Sequence, residues 1–177
     1  MRSKFSPGLI LSISLLIAAC NFVKNARNEA KGSTKSDEKP STSTTSASLQ
    51  FRNRIVDYAQ KYVGSDYKYA GTSPSGFDCS GFTSYVLKEF KIKASPASAM
   101  QAKEGKSVPI DRVLPGDLIF FGESSNHISH VAMVVKRSKA GIVCVHSTTS
   151  RGVIVENVST SNYWKPKILF ARDVISK

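Results

Sequence analysis

Five short apolar runs, "LPGDLIFF", "HVAMVVK", "GIVCVHS", "GVIVE" and "KILFARDVI", follow one another between Leu114 and Ile175. They are separated by polar, turn-forming stretches, with Pro115-Gly116 making a turn in the first and "RSKA" and "TTSR" joining the middle three. Runs of this length and composition read as strands. The half before them reads differently. In "LQFRNRIVDYAQKYVG", Phe51, Ile55, Tyr58, Ala59 and Tyr62 recur at helical spacing and Gly64 marks an end. "SDYKYAGTSPSGF" is a loop. Asp78 then has the chemistry of an N-cap, and Phe82, Val86 and Phe90 form an apolar stripe on a helix of about three turns. Helices followed by a run of strands predict an α+β domain over residues 50–177, its N-terminal helices packed on an antiparallel β-sheet.

The first fifty residues do not belong to that domain. "MRSKFSPG" is basic, and "LILSISLLIAA" is an uncharged apolar run of eleven residues. A membrane-crossing helix needs about 20, so residues 1–19 read as a secretory signal peptide. The next residue is Cys20, and "IAAC" resembles the bacterial lipoprotein box, which implies lipidation of Cys20. Asn21 stands where an aspartate would mark inner-membrane retention, so the expectation is a lipid-anchored protein of the bacterial cell envelope, on the outer membrane and facing the periplasm. Residues 20–49 are rich in Ser, Thr, Lys and Glu and poor in apolar residues. Such a segment buries too little to offset its ordering entropy and reads as a flexible linker.

The formal net charge is +12. A basic excess suits solubility or an acidic partner. With no basic helix, no basic-aromatic repeat and no zinc-finger spacing, nucleic acid is not the expected partner. Three cysteines, Cys20, Cys79 and Cys144, are too few for a disulfide framework, and without a CxxC they predict no zinc site. No cofactor is expected.

Cys79 sits in "GFDCSGF", at the predicted start of a helix. Free amides and the helix dipole favour a thiolate there, and a neighbouring imidazolium favours it more. Two histidines are candidates. If residues 130–136 and 141–147 pair as a hairpin whose partners sum to 276, the loop is Arg137–Lys139 and His130 faces His146. Both rings then share one sheet face; a slip of one residue separates them. Cys79 would attack a carbonyl, His130 would form the ion pair and protonate the leaving amine, and His146 would orient His130. The Cys79 amide would help stabilise the oxyanion.

"YKYAG…GFDCSGF", "LPGDLIFF", "HVAMVV" and "VHS", in that order, resemble the NlpC-type cell-wall peptidase family, and "NYWKPKILFARDVISK" is similar to its lipoprotein branch. The resemblance implies a papain-like α+β fold and a cysteine endopeptidase cutting amide bonds in peptidoglycan, with Cys79, His130 and His146 as the catalytic set. It also implies that Asp78, Ser80 and Tyr67 line the substrate groove. Two departures stand out: Ala70-Gly71 replaces paired glycines, and Ser95-Pro96-Ala97-Ser98 replaces Leu-Pro-Arg-Ser, removing an arginine.

Other residues read more simply. Cys144 in "IVCVH" is core, His127 is a surface residue of a loop, Trp164 packs, and Asp117 caps a turn. His127 and His130 have metal-site spacing but no third ligand. An amidase or acyltransferase using the same three residues, and a non-catalytic wall-binding lipoprotein, stay open as rival functions. So does the bond: D-glutamate to diaminopimelate, or the diaminopimelate–D-alanine crosslink, towards which the lipoprotein resemblance leans.

Overall fold

The structure, a computed structural model, describes residues 42–176. The expected signal peptide, the lipidation at Cys20 and the linker as far as residue 41 lie outside the described residues. Helix α1 spans Thr42–Gln60. It therefore starts seven residues before the predicted Leu49, inside the expected linker. Residues 45–50 are exposed; they continue the amphipathic part, where Ile55 and Ala59 are fully buried.

After α1 come a two-stranded ribbon, β1 (Thr72–Ser73) with β2 (Gly76–Phe77), then helices α2 (Cys79–Glu89) and α3 (Ser98–Gln101). Strands β3 (Lys106–Val108), β4 (Leu118–Ser124), β5 (His127–Ser138), β6 (Gly141–Thr148), β7 (Gly152–Asn157) and β8 (Ile168–Asp173) follow. They form one antiparallel sheet in the order β3-β8-β4-β5-β6-β7. The α+β expectation holds. Strand β3 was not foreseen, because Lys-Ser-Val carries almost no apolar signal. "SSNHIS" is not a loop: β4 and β5 run on and join through Ser125-Asn126.

The sheet is buried on both sides. On one face Leu118, Phe120, Val131, Met133, Val145 and Val153 meet Ile55, Phe82, Val86 and Leu87 of the helices. Each such side chain, fully withdrawn from water, contributes about 1.5–3 kcal/mol. On the other face Ile119, Phe121, Ala132, Val134 and Cys144 pack with Val158, Trp164 and Ala171. This double burial explains why β5 reads as a continuous apolar run rather than an alternating one.

Arg52 fastens α1 to the sheet. It is 1 % exposed and donates to Asp117 Oδ1 (2.8 Å) and the Pro115 carbonyl (3.0 Å), and it pairs with Asp173 Oδ2 (2.6 Å). The other Asp117 oxygen accepts from the Leu114 amide (2.8 Å), so Asp117 closes the turn before β4, the structural role expected of it.

The β5–β6 hairpin differs in register from the prediction. Its turn is Lys139-Ala140, and the first pairs, Ser138–Gly141 to Lys136–Val143, sum to 279. A bulge at Val135 resets the ladder, so Val134 pairs with Cys144 and Met133 with Val145, summing to 278. His146 is thus placed across from Ala132, with His130 the diagonal neighbour on the same face. The assumed sum of 276 had the right parity and the wrong register.

Candidate active site

Cys79 is the first residue of α2. The helix begins there because Asp78, in extended conformation, accepts from the Gly81 amide through Oδ1 (2.6 Å). Gly81 is required by its surroundings, since a Cβ there would lie 2.0 Å from the Gly71 carbonyl oxygen. That carbonyl in turn accepts from the Asp78 amide (2.9 Å), which locks the loop to the helix start. Ser147 adds a tie from the sheet, donating to the Phe77 carbonyl at 2.7 Å, two residues before Cys79.

These contacts hold Cys79 against β5. Cys79 and His130 line one cleft of about 470 Å³ with Tyr67, Arg151, Trp164 and Lys167. A larger cavity of about 920 Å³, bounded by Lys88, Ile92 and Pro96, does not include Cys79. His130 is 8 % exposed. Its ring stacks on Trp164, with centroids 4.4 Å apart and planes 27° from parallel. His130 Nε2 lies 2.8 Å from His146 Nδ1, and His146 is fully buried. The structure therefore brings Cys79, His130 and His146 to one place. With Nε2 occupied by His146, Nδ1 is the His130 nitrogen left for the cleft.

The expected groove residues divide. Tyr67 lines the cleft. Asp78 is occupied as the helix cap. Ser80 is buried and donates to the Pro96 carbonyl (2.7 Å) and to Asp78 Oδ1 (3.2 Å). Neither Asp78 nor Ser80 is among the cleft-lining residues. His127 is exposed, with Nδ1 3.2 Å from Ser124 Oγ, and among the described residues no three His, Cys, Asp or Glu side chains cluster as a metal site.

Burial dominates the electrostatics. It pushes the Cys79 thiol up, assisted by the Asp78 charge and opposed by hydrogen bonds from the Val131 and Ser80 backbone. It holds His130 well below its ordinary value, with His146 adding to the effect. Desolvation lowers His146 to about 4, against the pull of Glu156. Burial therefore favours a neutral thiol beside a neutral imidazole over the ion pair expected from the helix terminus and a neighbouring imidazolium. Cys144 is enclosed among apolar side chains, and its thiol is pushed up strongly.

One functional neighbour was not foreseen. Glu156 Oε1 lies 3.1 Å from His146 Nε2 and also accepts from Arg151 (2.7 Å) and Trp164 Nε1 (3.0 Å). The available signal was the strand "GVIVE" itself: with His146 opposite Ile154, alternation puts Glu156 on the His146 face.

A family model described as "NlpC/P60 family" matches residues 64–173. The chain belongs to the NlpC/P60 family. Among its relatives in that family is the Murein DD-endopeptidase MepS/Murein LD-carboxypeptidase of Escherichia coli (strain K12), 28% identical over 94% of this chain and 90% of that protein. The Gamma-DL-glutamyl hydrolase of Bacillus subtilis (strain 168) is 35% identical over 68% of this chain, which spans only 29% of that protein. An NlpC/P60 family protein from Bacillus cereus ATCC 10987 superposes with a TM-score of 0.65 at 28% identity, covering 71% of this chain and 40% of that one. The NlpC/P60 domain here has the papain-like α+β fold.

Proposed function

We propose that this protein is a peptidoglycan hydrolase, a cysteine endopeptidase that cuts amide bonds of the stem peptides through Cys79, His130 and His146. The observation that carries the reading is the joint placement of Cys79 and His130 in one cleft, with His130 bonded to a buried His146. In the first step the Cys79 proton passes to His130 Nδ1 as Sγ bonds to the carbonyl carbon. The oxyanion is stabilised at the first turn of α2, where the Cys79 amide has no intrahelical partner. His130 then gives its proton to the amine as the C–N bond breaks. Water attacks the thioester, loses a proton to His130, and the thiol is restored as the carboxylic acid leaves. With burial holding the Cys79 thiol up and His130 down, His130 acts as a general base at the moment of attack.

Lys167 gives the cleft a cation, which suits the free carboxylates of stem peptides, while Arg151 is paired with Glu156. A relative matched over 90% of its length is named a murein DD-endopeptidase and LD-carboxypeptidase, and the first of these supports the crosslink as the bond cut. Anchoring by a lipid on Cys20 on the outer membrane, facing the periplasm, belongs to the same reading; among the described residues no helix is long and apolar enough to cross a membrane. Incubation with defined crosslinked and uncrosslinked muropeptides, followed by mass analysis, is the test. Crosslinked dimers should fall to monomers with wild type and persist with Cys79→Ala. Equal digestion by both proteins overturns the reading.

A further inference from the structure

We propose that Glu156 is a positioning residue that fixes the tautomers of the His146–His130 pair, so that His130 presents an unprotonated Nδ1 to Cys79. The proposal rests on the peptidase reading above. Three groups converge on one oxygen, Glu156 Oε1: Arg151 at 2.7 Å, Trp164 Nε1 at 3.0 Å and His146 Nε2 at 3.1 Å. Arginine and indole nitrogens only donate, so that oxygen is an acceptor. His146 Nε2 must then carry the hydrogen. In a neutral ring this leaves His146 Nδ1 with a lone pair, and Nδ1 is the atom 2.8 Å from His130 Nε2. His130 Nε2 is therefore the donor, and His130 Nδ1 is left bare for the cysteine proton. One carboxylate, two rings removed from the sulfur, decides which nitrogen is the base.

The arrangement is rigid. His146 is fully buried and Trp164 is 8 % exposed. Trp164 holds Glu156 with its edge while its face stacks on His130, so one side chain orients both ends of the relay. Glu156 also acts through its charge. When His130 takes the proton, the developing cation is shared along the hydrogen bond towards His146 and Glu156. The charged or titratable groups around the relay include Cys79 from α2, Tyr67 from the loop before β1, Tyr163 against Trp164, Lys167 over the Tyr163 ring, and Arg151, with Cys144 of β6 opposite Glu156 in the ladder. Arg151 opposes the cation, but its side chain is 54 % exposed against 21 % for Glu156, so solvent screens it more.

The experiment uses the full-length chain. Glu156→Gln keeps an oxygen that accepts from all three donors and removes the charge, leaving Arg151 uncompensated. With crosslinked muropeptides, kcat should fall roughly tenfold at little change in KM, and the acid limb of kcat/KM should move to lower pH by roughly one unit, since a weaker base titrates lower. A purely structural Glu156 would lower Tm and leave the acid limb in place, which overturns the proposal. The tautomer is read separately by ¹⁵N NMR of the histidines in the wild-type chain. A hydrogen on His146 Nε2, with none on Nδ1, supports the proposal; a hydrogen on His146 Nδ1 overturns it. Wild-type and Cys79→Ala controls report on the peptidase reading itself. Should those two digest muropeptides equally, that reading fails while the NMR result still decides the tautomer.

Discussion

His130 Nε2 and His146 Nδ1 lie 2.8 Å apart, diagonal neighbours on adjacent strands beneath Trp164. The contact consumes the His130 nitrogen that points away from the cleft and prevents the ring from flipping. His146→Ala should therefore lower kcat on muropeptides by about 100-fold or more while KM changes little, the scale at which a positioned proton-transfer group matters. His146→Gln, which retains an acceptor, should recover part of the loss. Product quantification by chromatography at saturating substrate checks both.

Acid should destabilise the fold through the same residues. His146 is held at about 4 by burial, whereas an unfolded histidine titrates near 6.5. Between those values the unfolded chain binds a proton that the folded chain refuses, so stability is full above pH 6.5 and declines as pH falls towards 4. His146 alone accounts for a loss of about 3 kcal/mol, and His130, also lowered by burial, adds to it in the same direction. Denaturant midpoints from pH 7 to pH 4 should fall accordingly, and His146→Asn should flatten the curve.

Cys79 should be a slow nucleophile in the absence of substrate. Burial raises its thiol above the ordinary value, so alkylation at pH 7 should lag behind that of a small free thiol and accelerate only in alkali. Rapid labelling at pH 6 would instead indicate a preformed ion pair.

The Arg52–Asp117 pair, each partner 1 % exposed, should be costly to break from one side. Arg52→Met leaves the Asp117 carboxylate buried with only the Leu114 amide, and Asp173 loses its cation while keeping the Ile175 and Ser176 amides. A loss of about 3–5 kcal/mol is expected, seen as a lowered urea midpoint. Asp117→Asn should cost less than Arg52→Met.

Ala70 occupies the left-handed region, with φ +54°, at one of the two positions where the resemblance implies paired glycines. A side chain there costs about 1–2 kcal/mol, partly offset by the lower entropy of alanine in the unfolded chain. Ala70→Gly should raise stability by up to about 1 kcal/mol, measurable as a higher Tm.

The legible parts of this molecule were those with strong local chemistry. Asp78 as a cap, the stripe of Phe82 and Val86, and the five apolar strand runs all correspond to observed elements, because capping and periodicity are short-range signals. Register is not short-range. The hairpin prediction placed the loop at Arg137–Lys139, and nothing local announces an unpaired residue at Val135. Glu156 escaped for a related reason: a charge at the end of a strand looks solvent-facing until the neighbouring strand's register is known. The ion-pair expectation weighed the helix terminus and a neighbouring imidazolium and omitted desolvation, which only packing reveals.

The bulge at Val135 has a wider consequence. Residues 131–134, Val-Ala-Met-Val, are buried on both faces, so inverting this strand would still bury apolar groups everywhere and hydrophobicity scarcely opposes the error. A hairpin zipped from Ser138–Gly141 without the bulge would set His146 opposite Met133 and send the two imidazoles to different sides of the sheet. Foldedness and competence are thus separable here: circular dichroism would score such an isomer as intact, while one surplus amino acid in a strand decides whether the molecule has chemistry at all.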